Sequence, residues 1–508
     1  MRDLVKQLNE KKAEARKMGG PQAVDRQHKE GKLTARERID RLFDEGSFVE
    51  VGALAEHEPR NPQMDGRHTP GDGVITGFGH ISGHTACCAA YDFTVMAGSM
   101  GEVGERKVAR MRELALRFRC PIVWLLDSSG ARIQESAGSQ FAGSGDLFFQ
   151  QAIMSGVVPQ VAAVMGPCAA GTAYIPALAD VTFMVKGTGS MALGGPHLVK
   201  AAVGEEITAE DLGGSRIHCT ISGCGDLEAA SDEACIQAIK EYLHYLTVPH
   251  QPPGDPPGRR AEHLYDIVPV EPNKVYDMRK VIAAVVDGAR FFELKAGWAK
   301  SVITALARMG GRTIGVVASQ PAHRGGVLDV DSADKAARFI TLCDAYEIPL
   351  VFLVDVPGFL IGSRVEQQGI IRHGAKMLYA LSEATVPKVT VVLRKAYGAG
   401  YFVMCGRAYE ADQIYAWPTA EISVMGPEGA AAIIFRKEIE AAEDPAAVKA
   451  ERIAMIRQVI SPYVAAAGAY VDDVIDPADT RPFIIRALEA ARSKRVERPQ
   501  RKHGIWPV

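Results

Sequence analysis

No run of about 18 apolar residues occurs anywhere in the sequence, so no membrane-spanning helix is expected. Nor do any two cysteines stand as a C-x-x-C pair, which removes the commonest zinc and dithiol signatures. The nine cysteines, at 87, 88, 120, 168, 219, 224, 235, 343 and 405, read as reduced thiols, mostly in the core. Net charge is nearly absent: −3 over 508 residues gives no field that would gather nucleic acid or an anionic lipid surface. The opening MRDLVKQLNEKKAEARK lacks a signal-type apolar stretch and carries acidic residues that transit peptides avoid. These absences predict a cytoplasmic protein with neither nucleic acid nor membrane among its partners. Also missing are a G-x-S-x-G elbow, a Walker loop, an H-E-x-x-H pair and any compact carboxylate pair with a metal partner, so no metal site is expected.

What the chain does have is length enough for more than one core, since a single core stops growing at roughly 250–300 residues. Residues 1 to about 45 read as a helical arm, outside any catalytic core, with a break at Gly19-Gly20-Pro21 and a capping-box pattern, Thr34-x-x-Glu37, opening a helix. From Gly73 to Thr94 the text alternates and Ser82-Gly83 supplies a turn, which predicts a hairpin. Short apolar strands then alternate with small-residue loops and helices, the pattern of an α/β layered domain. Between 249 and 262 prolines and glycines crowd together, and a linker is expected there, dividing the chain into 1–248 and 263–508. The basic tail Arg492 to Lys502 is broken by Glu497 and Pro499 and reads as a solvated terminus.

The second half repeats the first. Pro121/Pro349, Asp127/Asp355, Gly130/Gly358 and Pro159/Pro387 are each separated by 228 residues, as are Val123/Val351, Leu125/Leu353, Val158/Val386 and Val161/Val389. Gly195-Pro196 and Gly426-Pro427 match at 231, which implies a three-residue insertion near Gly406-Arg407-Ala408. A duplicated domain is the simplest account.

Each half carries a strand that runs into a loop of small residues and then a helix: Pro167-Cys168-Ala169-Ala170-Gly171-Thr172 in the first, Lys395-Ala396-Tyr397-Gly398-Ala399-Gly400-Tyr401 in the second. Small residues let a ligand approach the backbone, and a helix start offers unpaired N–H groups with a favourable dipole, which is how an oxyanion hole is built. Glycine and alanine turns also serve tight packing alone; two in equivalent places of a repeat favour a site. Asp127 and Asp355 could act as bases, although an acidic residue at a strand end more often caps a turn. His197, His218, His323 and His373 stand isolated in sequence, and none is assigned catalysis. The pattern suits chemistry in which backbone dipoles carry negative charge and the base comes from substrate or cofactor.

Segments spread over nearly the whole chain now point to a family: KLTARERIDRLFDEGSF at 32–48, PGDGVITGFGHISG at 70–83, DSSGARIQES at 127–136, VMGPCAAGTAYIPAL at 164–178, GEEITAEDLGG at 204–214, GIIRHGAKMLYA at 369–380 and YAWPTAEISVMGPEGA at 415–430. In these the chain resembles the carboxyltransferase (β) subunits of biotin-dependent acyl-CoA carboxylases, of propionyl-CoA and methylcrotonyl-CoA type. The resemblance implies an α/β fold of two tandem crotonase-like domains behind the N-terminal helical arm, and a hexamer with each active site between the N-terminal domain of one subunit and the C-terminal domain of another. It implies that 1–248 binds acyl-CoA and 263–508 accepts carboxybiotin, whose carboxyl group passes to the α or vinylogous carbon through an enolate. Biotin would arrive on a partner, a biotin carboxylase or biotin carboxyl carrier subunit: the chain has no A-M-K-M lysine, and Lys376 in GAKML sits in a helical context.

By the same resemblance, the amides of Ala170 and Gly171 form the first oxyanion loop and those of Ala399 and Gly400 the second. Gly398, Tyr401 and Phe402, with Gly130 and Ala131, are the expected contacts to biotin and coenzyme A. Departures matter too: Phe402 stands where propionyl-type relatives carry aspartate, the loop reads GAGY for GGAY, and Ala170 replaces a frequent glycine. An apolar aromatic at 402 favours a bulkier or less polar acyl group. Three other readings stand beside this one. They are a carboxyltransferase subunit run in reverse in a biotin-dependent decarboxylase, a crotonase-type hydratase, for which one copy of the fold would suffice, and a degenerate scaffold, for which damaged loops would be expected.

Overall fold

A computed structural model describes residues 1–58 and 62–508, which form two compact units, Met1–Thr247 and Val248–Val508. The first is built on eight strands: β1 (Val49–Val51), β2 (Val74–Ile81), β3 (His84–Tyr91), β4 (Ile122–Ser128), β5 (Gln160–Ala169), β6 (Val181–Val185), β7 (Ser190–Ala192) and β8 (Leu227–Ala229). They lie in the order β1-β2-β3-β4-β5-β6-β8, with β7 paired on the far end of β5. The β1–β2 and β2–β3 pairs are antiparallel and all others parallel.

Local sequence explains these elements. β2 and β3 meet at Ser82-Gly83, both at positive φ (52° and 81°), the backbone that a two-residue hairpin turn demands. β4 reads IVWLLDS and is buried at every position, as befits a central parallel strand covered on both faces. Against it packs the helix Glu102–Phe118, whose Val108, Met111, Leu114 and Ala115 recur at helical spacing and are buried, each of the larger ones contributing roughly 1.5–3 kcal/mol. Thr34 and Glu37 make the reciprocal capping box that opens the helix Ala35–Leu42.

The second unit repeats this plan with β9 (Phe291–Leu294), β10 (Val302–Met309), β11 (Arg312–Ser319), β12 (Leu350–Val356), β13 (Lys388–Tyr397), β14 (Gln413–Ala416), β15 (Glu421–Ser423) and β16 (Asp473–Val474), ordered β9-β10-β11-β12-β13-β14-β16, with β15 on β13. From β2 to β5 the offset is 228 at every strand start, and the helix at Glu102 answers the one at Val330. Positive-φ positions repeat with it: Ala97 and Gly325, Arg119 and Glu347, Gly130 and Gly358, Ala170 and Gly398. The insertion is finer than expected. Through their pairing with β5 and β13, Val181 and Gln413 correspond at 232, and Ser190 and Glu421 at 231. Four residues therefore enter before β14 and one is lost before β15.

The Pro/Gly-rich stretch is woven into the second unit. His250 bridges Arg312, Gln251 N donates to Gly311 O at 2.9 Å and Ala261 N to Ala478 O at 2.8 Å. The basic tail is likewise pinned: Lys494, Arg498 and Arg501 pair with Asp412, Glu410 and Glu383. Eight cysteines are buried and Cys224 is exposed. Among the described residues no helix is long and apolar enough to cross a membrane, and no cluster of three or more histidine, cysteine or acidic residues could hold a metal.

Candidate functional site

The two sheets share one irregularity, and it builds the site. Between β4 and β5 the register passes from Leu126↔Val164 to Ser128↔Cys168, so Met165, Gly166 and Pro167 face Asp127 alone. The same slip separates Val354↔Val392 from Val356↔Ala396, opposite Asp355. Such a bulge bends the longer strand and re-aims the residues after it. In the first unit β5 ends at Ala169, Ala170 takes φ +54°, and a short helical turn, Ala170–Ala173, leads into the helix Tyr174–Leu178. Thr172 Oγ1 donates to Ala169 O at 2.7 Å and Cys168 Sγ to Thr172 O at 3.1 Å, which fixes the loop from within. In the second unit β13 ends at Tyr397, Gly398 takes φ +56°, and the helix Gly398–Val403 begins there.

A second loop comes close to each of these. A Cβ on Gly130 would lie 2.8 Å from Ala169 O and 3.3 Å from Ala170 Cβ, and one on Gly400 would lie 2.9 Å from Gly358 Cα. Only glycine fits at 130 and 358, where φ is +99° and +119°. Beside Gly130, Met100 N donates to Gly130 O at 2.8 Å and Arg132 N donates to Met100 O at 3.0 Å. Neighbouring residues alternate direction along an extended chain, so Ala131 N–H is turned to the opposite flank, that of β5. Leu328 bonds Gly358 O and Leu360 N in the same way, at 3.0 and 2.7 Å, which turns Phe359 N–H toward β13. Each unit therefore gathers N–H groups from two loops: Ala131 with Ala170–Gly171, and Phe359 with Gly398–Gly400. The helix-start N–H groups have no intrahelical partner and carry the positive end of the dipole.

In the register of the repeat, Ala170 answers Gly398, Gly171 answers Ala399, and Thr172 answers Gly400. The alanine at 170 is admitted and the glycine at 398 required for a local reason: a Cβ on Gly398 would meet Val424 O at 2.9 Å. The walls differ more. Tyr174 and Phe402 answer each other and are 47% and 45% exposed, so each presents a free aromatic edge beside its loop. Tyr174 packs edge-on against Phe148, whereas Phe402 lies near Tyr401 and Tyr409. Tyr401 is turned away, its hydroxyl accepting from Arg407 N at 3.0 Å. Gly171 is open, a Cβ there meeting only Phe148 at 3.5 Å.

Neither loop supplies an acid or base of its own. Asp127 and Asp355 are wholly buried, and ion pairs rather than turn caps account for both. Asp355 accepts from Arg394 Nε at 2.9 Å and lies 3.1 Å from Lys395 Nζ; Arg394 also reaches the carbonyls of Pro269, Glu271 and Lys274. Asp127 accepts from Gln27 Nε2 at 2.7 Å and Arg38 Nη1 at 3.0 Å, both from the N-terminal arm, which thus reaches beneath the first loop rather than staying outside it. Arg132, next to Ala131, is buried against Asp72, Ser99 and Glu135 and clamps that loop. Burial pushes the Cys168 thiol up to about 12, so it is no nucleophile. His218 bonds Met191 O at 2.7 Å, Met191 being the residue that pairs with Cys168, and His373 lies 2.9 Å from Asp334. Lys376 sits in the helix Ile370–Glu383 with Nζ 3.2 Å from Asp334, a structural lysine rather than a point for attaching a cofactor. Sequence reasoning did not nominate Phe359, although its spacing from Ala131 would have found it, and Arg38 and Arg394 had no local signature.

Backbone donors converging from two loops, in duplicate, suit an enzyme that stabilises negative charge on a carbonyl oxygen. Comparison with known proteins agrees. The carboxyl transferase domain family matches residues 26–506. The chain is 46% identical to the methylmalonyl-CoA decarboxylase subunit alpha of Veillonella parvula, over 100% of this chain and 99% of that one. It is 45% identical to the propionyl-CoA carboxylase carboxyltransferase subunit of Haloferax mediterranei, over 100% of both. Among solved structures, transcarboxylase 12S, described as a hexamer assembly with methylmalonyl-coenzyme A bound, superposes with a TM-score of 0.96 at 49% identity, covering 100% of this chain and 98% of that one. Both units thus have the crotonase-like fold, and the chain belongs to the carboxyl transferase domain family as a carboxyltransferase enzyme.

Proposed function

We propose that this subunit moves a carboxyl group between biotin, carried on a partner protein, and the α-carbon of an acyl-CoA thioester, with propionyl-CoA and methylmalonyl-CoA as the acyl pair. The observation that carries the reading is the paired loop in each unit, for transfer has two oxygens to stabilise: the thioester oxygen as it becomes an enolate, and the urea oxygen of biotin. The acyl-CoA half-site is assigned to residues 1–248 and the biotin half-site to 263–508.

Ala131 and Gly171 N–H would hold the thioester oxygen, and each such donor is worth about 10²–10³ in rate. Phe359, Ala399 and Gly400 N–H would hold the urea oxygen, with Gly398 and Gly358 keeping the backbone clear of side chains. Phe402, apolar and exposed, bounds the biotin half-site without charging it. Carboxybiotin supplies the carboxyl group and, after giving it up, a nitrogen basic enough to take the α-proton, which fits two loops with no side-chain base. The biotin carrier, its biotin carboxylase and a hexameric state belong to this proposal.

The full chain is incubated with a biotin carboxylase, a biotinylated carrier, ATP and labelled bicarbonate, and acyl-CoAs are surveyed for label. Label in propionyl-CoA above acetyl- or methylcrotonyl-CoA is expected. The Veillonella relative favours a second reading, the reverse reaction. No label in any acyl-CoA, with carboxyl loss from methylmalonyl-CoA to the carrier, would replace the forward reading by that one.

A further inference from the structure

The two bulge aspartates take their counter-charges from different places, and the difference reaches the first loop. We propose that Arg38, on the N-terminal arm, is a positioning residue for Ala170 and Gly171, acting through Asp127, so that docking of the arm sets the geometry of the acyl-CoA half-site. The proposal rests on the reading of that loop given above.

Three observations converge. Arg38 and Asp127 are 1% and 0% exposed, so their pairing is not screened by water. The guanidinium bridges both sides of the bulge and the body of the unit: Nη1 donates to Asp127 Oδ2 at 3.0 Å, Nη2 to Met165 O at 3.3 Å, and Nε to Asp232 Oδ2 at 2.7 Å. It thereby holds the end of β4 against the stretch of β5 where the ladder is interrupted, a few residues before Ala170. Finally, the Asp127 carboxylate lies on the backbone of β5, since a Cβ on Gly166 would fall 1.9 Å from Asp127 Oδ1. A shift of the carboxylate is therefore passed to the strand that ends in the loop. Gln27 and Lys32 complete the grip, at 2.7 and 3.4 Å from the same carboxylate.

The second unit supplies the contrast. At the position of Gly166 it has Arg394, which neutralises Asp355 from within the strand. There the cation belongs to the strand that ends in the loop, whereas in the first unit it comes from the helix Ala35–Leu42, which reaches beneath the loop.

The test is hydrogen exchange on the full-length protein, comparing backbone amides of 165–172 with those of 393–400 in the same molecule, for wild type and Arg38→Gln. Loss of a charge-assisted hydrogen bond is expected to speed exchange of 165–172 about tenfold or more, with 393–400 unchanged. In steady state the same variant should raise KM for acyl-CoA while turnover of carboxybiotin without acyl-CoA stays as in wild type. Arg38→Gln leaves two buried carboxylates short of a partner; if it does not fold, Gln27→Ala, which removes one neutral donor from Asp127, decides by the same exchange contrast. Wild-type exchange of 165–172 in a folded variant would overturn the proposal, as would equal acceleration of both segments. Exchange is read without any substrate, so a failed carboxyl-transfer assay leaves this inference standing or falling on its own result.

Discussion

Asp127 and Asp355 sit at the same bulge in two copies of one fold, equally buried, and are neutralised by different means. In the second unit the cation, Arg394, is part of the adjacent strand, and its Nη1 donates to three backbone carbonyls. In the first, glycine stands at that position and the cation, Arg38, comes from the arm, which also supplies Gln27 and Lys32. A buried carboxylate without its partner is costly, so both copies had to keep a cation. They differ in which element carries that cation, a helix of the arm in one and the adjacent strand in the other. The first loop is thus tied to the helix Ala35–Leu42 and the second to its own strand.

The largest test of this contrast is Arg394→Met, which leaves Asp355 with Lys395 alone as counter-charge and should cost about 3–5 kcal/mol, confined to the second unit. Denaturant unfolding followed by hydrogen exchange would show 393–400 losing protection while 165–172 keeps it. Next come the facing glycines. Gly400→Ala drives a Cβ to within 2.9 Å of Gly358 Cα and should lower kcat about 10²-fold or more, whereas Gly171→Ala, with only Phe148 at 3.5 Å, should stay within a few-fold of wild type. The left-handed pair differs less: Gly398→Ala should destabilise by about 1–2 kcal/mol and Ala170→Gly should not, as read from denaturation midpoints. The smallest effect concerns pH. Burial raises the Glu105 carboxyl from 4.5 to about 7, against the opposing pull of Arg112 and the Tyr91 hydroxyl. A raised folded-state value stabilises fully below 4.5 and is lost as pH rises through about 7. Since Ala333 occupies the equivalent place in the second unit, Glu105→Gln should abolish that decline for the first unit alone.

Much of this was legible in the sequence because it is local. Prolines and apolar strands at a constant spacing announced the repeat, and two runs of small residues after a strand announced the loops. The hairpin at Ser82-Gly83 and the capping box at Thr34 arise from residues next to one another. The insertion was legible only as a net three residues, because a gain before β14 and a loss before β15 cancel in part. Phe359 was hidden by its size, since a bulky residue does not look like a backbone donor until its neighbours' bonds fix its direction. Least legible was the arm: Arg38 and Asp127 lie 89 residues apart, and a long-range ion pair leaves no pattern in either segment.

The central claim is that the two loops hold different oxygens, the first that of the thioester and the second that of biotin. Carboxybiotin turnover without acyl-CoA, measured beside complete transfer for Gly171→Leu and Gly400→Ala, tests it most directly. Both variants should lose transfer, while Gly171→Leu keeps acyl-CoA-independent turnover and Gly400→Ala loses it. Equal loss of that turnover in both, or its loss in Gly171→Leu alone, would contradict the assignment.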